Sequence, residues 1–505
     1  MRITKICAGV LFISLTLLMC GKEKVEITTS SADALKLYKE GVNLAEKFYE
    51  EEAIKKFQSA IELDSTFVMA HYYLSRVYQG SGNFAEAKAS IVKAAKHSGT
   101  TTPMEWKYVA AWEKRIDQNL AEAIHIYKDI LKEYPNDTHT LLVIGKTYRL
   151  MKNYTESINA LKKLIELRPL YAPTYNQLGY AYKEMGEYEQ ALDAFTKYAE
   201  LTPDEPNPHD SLGDMYRSKG EYEKAIAAYK KALEVKPNFY TSYRNLGLSY
   251  LAFGEYDKAQ ETYSKYLKVV SDRELKRDAY LDLVQLCIAK GQYNKALQYA
   301  DEALELSVTN FRKSSAIATK GQIYCLKNNC SAALKQINTS FTIFPDAIWA
   351  REGRGMVFIK QQKYGEALSE AEKMLSLIEE YGLEAYQSNY NALMGKIAAA
   401  QGFYDEAIMY FNDAMKYDIF DHVSNRVPLA RACFQKQDYQ KAIEVCRQIF
   451  GYNKNHGLTH LLLAQVYEKQ SKDELAIAEY NKFLTIWKDA DQDISEILLA
   501  KKTIK

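Results

Sequence analysis

Six columns of residue types run in step through the middle of this chain. Gly145, Gly179, Gly213 and Gly247 are 34 residues apart; Tyr148, Tyr182, Tyr216 and Tyr250 keep that spacing, as do Pro135, Pro169, Pro203 and Pro237. Ala191, Ala225 and Ala259 follow, with Phe195, Tyr229 and Tyr263 behind them, and a second glycine series at Gly186, Gly220 and Gly254 marks mid-period. Self-similarity at a fixed period of roughly 20–50 residues points to an array of stacked supersecondary units rather than a single thick core. Each period reads as two amphipathic helices. In 206–239, Leu212, Tyr216, Ala225, Tyr229 and Ala232 recur at helical spacing on either side of a break at Ser218-Lys219-Gly220. Small Gly213 and Ala225 let the paired helices approach, and Pro237 stops the second one. A hairpin of this size cannot bury its apolar face alone, so neighbours must stack. A turn roughly every sixteen residues also interrupts any sustained heptad, which argues against the rival fold, a long coiled coil.

These columns resemble the tetratricopeptide repeat family. The resemblance implies an all-α, right-handed superhelical solenoid of about 13 helix-turn-helix units. The register places units at 34–67, 68–101, 104–137, 138–171, 172–205, 206–239 and 240–273, and more divergent ones at 277–310, 314–347, 348–381, 388–421, 423–456 and 457–490. In the later units Cys287, Ala398 and Cys433 stand in the signature tyrosine column. The insert at 382–387 reads as a longer inter-unit turn, with a flexible joint as the alternative. Residues 491–505 carry Ile494, Ile497, Leu498 and Ile504 and read as a helix capping the open end. The repeat also accounts for a tyrosine content of 40 residues, since a per-unit dose is multiplied along the array.

The N-terminus is an address. Arg2 and Lys5 precede a mostly apolar run from Ile6 to Met19, too short for the ~20 residues of a spanning helix but suited to a signal peptide. Leu17-Leu18-Met19-Cys20 resembles the lipobox of bacterial lipoproteins, although Met19 departs from the family's small residue before the cysteine. The expectation is therefore a signal peptide over 1–20, acylation of Cys20 and a polar tether over 21–33. An ordinary secretory signal with an incidental cysteine, leaving a soluble periplasmic protein, and an uncleaved N-terminal anchor are the alternatives. The expected setting is the bacterial cell envelope.

With 66 Lys+Arg against 65 Asp+Glu the formal net charge is +1, so no basic footprint for nucleic acid exists. Nothing outside the repeats is long enough to form a catalytic domain. Gly145-Lys146-Thr147 resembles the end of a P-loop, but Thr140 stands where its first glycine belongs. His456 and His460 could share a helix face, yet they lack the glutamate and cysteines of a zinc site. Neither catalysis, a metal nor a cofactor is expected. Cys433 and Cys446 sit in facing core columns; a disulfide and buried free thiols are the two readings, and Cys287 in the same column supports the second.

In tetratricopeptide proteins the first helix of each unit lines a concave groove that holds protein segments. Three residues before each glycine position lie Tyr38, Tyr72, Tyr108, Leu142, Asn176, Asp210 and Arg244. Four further on lie Val42, Arg76, Trp112, Lys146, Tyr180, Asp214 and Leu248. Candidate partner-binding residues are thus Tyr38, Tyr72, Tyr108, Trp112, Lys146, Asn176, Tyr180, Asp210, Asp214 and Arg244; tyrosine packing between neighbouring first helices is the competing reading. No unit carries the Lys and Asn pair by which some members grip a C-terminal carboxylate. The function implied is a non-enzymatic scaffold or adaptor binding other proteins or peptide segments. The alternatives are an accessory subunit of an envelope-modifying enzyme and an outer-membrane assembly or secretion lipoprotein.

Overall fold

A computed structural model describes residues 27–97, 99, 101–417 and 422–504. The expected leader, its Cys20 and the first part of the tether lie outside the described residues. Among the described residues there are 27 α-helices and no strand. Consecutive helices pair antiparallel, from Ala32–Glu46 with Glu50–Leu63 through to Gly457–Lys469 with Asp473–Ile486, and Ser495–Thr503 follows the thirteenth pair.

The mid-unit turn has one backbone solution in every pair. A residue with positive φ sits between the two helices: Gly82, Gly186, Gly220, Gly254, Gly291 and Gly402 in six pairs, and Phe48, Gln118, Lys152, Asn328, Gln362, Gln437 and Ser471 in the others. For a residue with Cβ this conformation costs roughly 1–2 kcal/mol. The glycine series visible in the sequence is therefore only the unstrained part of a complete series of left-handed turns. The insert contributes one more, Gly382, which ends the long helix Tyr364–Tyr381 before a 3-10 turn at Glu384–Tyr386.

The first glycine column is a steric requirement. A Cβ at Gly179, Gly213 or Gly247 would lie 2.5–2.6 Å from the ring of Phe195, Tyr229 or Tyr263 on the paired helix. Small and large residues face each other, and where Val284 replaces the glycine, Ala300 occupies the ring position; both are fully buried.

The chain forms two compact units, Met1–Thr202 and Pro203–Lys505. In the first unit the core runs from Ala34 through Phe57, Tyr72, Trp112 and Tyr127 to Tyr148. The end of the polar tether is strapped onto this unit. Thr28 donates to Glu105 through its N–H (2.8 Å) and its hydroxyl (2.7 Å), while the Ser30 N–H (2.8 Å) reaches Asp64. Glu105 is fully buried and also completes a capping box with Thr102. In the second unit the terminal helix Ser495–Thr503 buries Ile497 and leaves Leu498 exposed. It belongs to an apolar cluster that contains Tyr480 and Trp487, but also Val284, Cys287 and Tyr293 from much earlier in the chain.

Candidate functional site

The first unit holds a cleft of about 500 Å³ on its first-helix side. Helix Val68–Gly80 supplies Arg76, helix Pro103–Ile116 supplies Trp112 and Arg115, and helix Thr138–Leu150 supplies His139, Lys146 and Arg149. Glu46, Tyr171 and Asn176 complete its walls, and the Tyr171 hydroxyl donates to Glu46 across a sequence separation of 125 residues. The opening is thus spanned between the first pair and the turn before the fifth.

Four cations therefore converge on one cleft. Three of them have neighbours that hold them in place. Arg76 lies over the Tyr73 ring (4.7 Å), Arg115 over Trp112 (4.7 Å), and Arg149 is paired with Glu184. Beneath them His139 receives the Tyr72 hydroxyl on Nε2 at 2.9 Å and lies 3.2 Å from the Tyr73 hydroxyl through Nδ1. Arg76 can only donate and faces the same Nε2, so the His139 proton belongs on Nδ1. Burial, then Arg76 and Lys146, hold this imidazole neutral, well below its ordinary pKa. Lys146 has neither hydrogen bond nor ion pair among the described residues. Burial, followed by Arg76, Arg115 and Arg149, pushes its ammonium down to about 7. A lysine in this condition is an incomplete electrostatic site, and a carboxylate or other anion is the group that completes it.

The sequence-derived candidates separate by place. Trp112, Lys146 and Asn176 line the cleft. Tyr38, Tyr72 and Tyr108 are core residues: Tyr38 packs on Phe67 (5.1 Å), Tyr72 on Tyr108 (6.1 Å), and the Tyr108 hydroxyl donates to Asp137 at 2.7 Å. Their rings fill the space between successive first helices, where removal from water is the larger gain. Tyr180 is half-buried against Phe195 (5.0 Å). In the second unit Asp210, Asp214 and Arg244 are tied to their own neighbours. Asp210 accepts from Ser242 (2.6 Å), Asp214 from Tyr229 (2.7 Å), and Arg244 donates to both oxygens of Asp282 (2.7 and 3.3 Å). Burial and the neighbouring Asp214 push the Asp210 carboxyl well above the carboxylate range.

Sequence reasoning did not single out Arg115, Arg149, Tyr73, His139, Tyr171 or Glu46. The signal for two of them was present: Arg115, Arg149, Lys183 and Arg217 recur at 34-residue spacing, three residues beyond the second groove column. Of the remaining motifs, His460 pairs with Glu479 at 2.5 Å, and Cys287, Cys325, Cys330, Cys433 and Cys446 are free thiols. Burial raises the Cys433 and Cys446 thiols, which makes them apolar filler rather than reactive groups.

Family profiles described as "TPR repeat" match residues 145–186 and 213–254, and others described as "Tetratricopeptide repeat" match 172–205, 239–307 and 393–456. The chain belongs to the tetratricopeptide repeat family. Its proteins serve as protein–protein interaction scaffolds, and helix pairs packed consecutively are their fold. Among solved structures, one titled "Crystal structure of MamA" is 35% identical over 32% of this chain and 93% of its own, with a TM-score of 0.29. The structure of the APC/C hetero-tetramer Cut9-Hcn1 is 14% identical and covers 94% of this tetratricopeptide chain and 97% of its own, with a TM-score of 0.35. No curated protein matches this chain.

Proposed function

We propose that this tetratricopeptide protein is a non-enzymatic scaffold of the bacterial cell envelope whose first unit grips an acidic segment of a partner protein. The observation that supports this most is the convergence of Arg76, Arg115, Lys146 and Arg149 on one cleft, with Lys146 unpartnered. An Asp- or Glu-rich segment would neutralise the cluster, and the half-buried ring of Tyr73 offers it apolar contact. Fluorescence anisotropy of labelled peptides on the full chain tests the reading. A peptide with alternating Glu should bind with an affinity that falls steeply with salt, and its Lys counterpart should not bind. Equal binding of the two peptides, or none of the acidic one, removes the reading.

The envelope setting rests on the leader and is tested separately. Each buried CH₂ of an acyl chain contributes about 0.8 kcal/mol, and stable anchoring takes more than one chain. Cys20→Ser is expected to move the protein from the membrane to the soluble fraction and to abolish metabolic labelling with a fatty acid. Wild-type protein that takes up no label would end the lipoprotein reading without touching the cleft.

A further inference from the structure

In a stack of antiparallel pairs, each second helix ends and the next first helix begins on the edge opposite the mid-unit turns. In the first unit the end of the tether is pinned to that edge at two points. Thr28 donates to Glu105, in the first turn of Pro103–Ile116, through its N–H (2.8 Å) and its hydroxyl (2.7 Å). The Thr29 hydroxyl (2.5 Å) and the Ser30 N–H (2.8 Å) donate to Asp64, which follows Glu50–Leu63. Both acceptors are buried carboxylates, so the bonds are charge-assisted and the strap has one place to lie. Its donors are two residues apart at most, which puts the two anchor points on about 7 Å of chain.

Beside each anchor stands an apolar side chain that the fold leaves in water. Leu63, next to Asp64, is 53% exposed, and Trp106, next to Glu105, is 42% exposed. Of the chain's four tryptophans, Trp106 alone is exposed. Between these two in the stack, helix Phe84–Lys96 ends with Lys93 and Lys96, both exposed and without an ion pair among the described residues. Lys93, His97 and Asp64 all act on the charge of the buried His71, which places this lysine at the Asp64 anchor. An indole and a leucine among lysines suit a phospholipid headgroup layer, where the apolar groups reach the hydrocarbon boundary and the ammoniums meet phosphates.

The length of chain before the strap says what covers this edge. Thr28 is eight residues from Cys20, and eight residues span at most about 29 Å. With Cys20 acylated, the strap edge is held within that distance of the bilayer. The mid-unit edge, where Phe84 is 62% exposed, lies one 13-residue helix further away, or about 20 Å. We propose that the edge formed by Leu63, Lys93, Lys96 and Trp106 is a docking face for an anionic phospholipid bilayer, and that the strap fixes this orientation. The proposal rests on the lipoprotein reading of the leader and shares no residue with the cleft.

Tryptophan quenching tests it on the full-length protein, purified with its anchor and reconstituted into vesicles of phosphatidylethanolamine and phosphatidylglycerol. Emission should be lower in vesicles whose acyl chains carry bromine near the headgroup, and Trp106→Phe should remove more than half of that difference. In the Trp106→Phe background, Leu63→Trp should restore the quenching and Phe84→Trp, on the opposite edge, should not. Lys93→Gln with Lys96→Gln should weaken it, with helical circular dichroism unchanged in every variant. Flotation of the vesicles reads the anchor separately. Protein that floats without quenching at Trp106, or that is quenched as strongly in Phe84→Trp as in Leu63→Trp, overturns the docking face and leaves the lipoprotein reading intact. Protein that does not float ends the lipoprotein reading, and the docking face with it.

Discussion

Arg115→Gln combined with Lys146→Gln should weaken binding of an acidic segment by about 10²-fold. A hydrogen bond to a charged group contributes ~1.5–3 kcal/mol, and each ~1.4 kcal/mol is tenfold in affinity. Neither substitution removes a hydrogen bond from the fold, because both side chains lack hydrogen-bond partners among the described residues. Binding should therefore be lost without loss of helix. Lys107, paired with Glu133 at the surface, is the control: Lys107→Gln should leave affinity within twofold. The pH dependence separates Lys146 from its neighbours. Its folded, unliganded pKa is held down to about 7, and an anion beside it restores a higher value, so binding takes up a proton once the pH exceeds 7. Affinity should fall as pH rises from 7 to 9 in the wild type and be flat over that range in Lys146→Gln. In the free protein the sign is the opposite. The unfolded lysine, titrating near 10.4, holds more protons than the folded one above pH 7. The repulsion is fully present below pH 7, and stability recovers as the pH climbs toward 10. The urea concentration at which helix Thr138–Leu150 becomes cleavable in pulse proteolysis should differ most between the wild type and Lys146→Gln at or below pH 7 and converge by pH 10. A Lys146→Gln variant that keeps the wild-type slope of affinity on pH would show that this lysine is not the group that responds.

What could be read in the chain beforehand was what repeats. The step of 34 residues, the Gly213-to-Tyr229 type of contact and the stop at Pro237 are local, and each recurs often enough to be seen without a structure. Even units that have lost the tyrosine or the proline kept their helix pair, because the small-facing-large relation survives, as in Val284 opposite Ala300. The cleft was half legible. Columns counted from the glycine reach Arg76, Lys146 and Asn176, but a column says which side of a helix a residue is on and not how deep it lies. Tyr72 and Tyr108 share the face of those residues and are nevertheless buried, because adjacent first helices leave room for a ring between them. What had no signature at all is what occurs once. Tyr171 reaching Glu46, Thr28 reaching Glu105 and Trp487 reaching Gly291 join residues whose separations of 125, 77 and roughly 200 follow from the curvature of stacked pairs. That curvature is a sum of small rotations at every interface, and no single residue encodes it.

The second large effect belongs to the ring column and can be resolved atom by atom, because two neighbouring units bury the same tyrosine ring and only one of the two hydroxyls has a partner. Tyr229 and Tyr263 are both fully buried, and each lies on a glycine, Gly213 and Gly247, with the Cβ position 2.5 Å from the ring. Truncation to Ala at either site should destabilise the local pairs by about 3–5 kcal/mol, since the cavity left in a helix pair closed by a glycine has no side chain opposite to collapse into it. The hydroxyls should behave differently. Tyr229 donates to Asp214 at 2.7 Å, in a network that also holds Asn245, whereas the Tyr263 hydroxyl is buried without a partner. Tyr229→Phe removes the donor from a carboxylate and should cost about 1–3 kcal/mol, while Tyr263→Phe removes an unsatisfied polar atom and should be neutral or stabilising. Long repeat arrays do not melt as one cooperative unit, so a single midpoint would blur the comparison. Native-state hydrogen exchange in Tyr222–Val235 for the first pair of variants, and in Tyr256–Val269 for the second, reads each site where it acts. Opening free energies that fall by the same amount for Tyr229→Phe and Tyr263→Phe would mean that the Asp214 contact carries no stability, and that the ring alone explains why this column is aromatic.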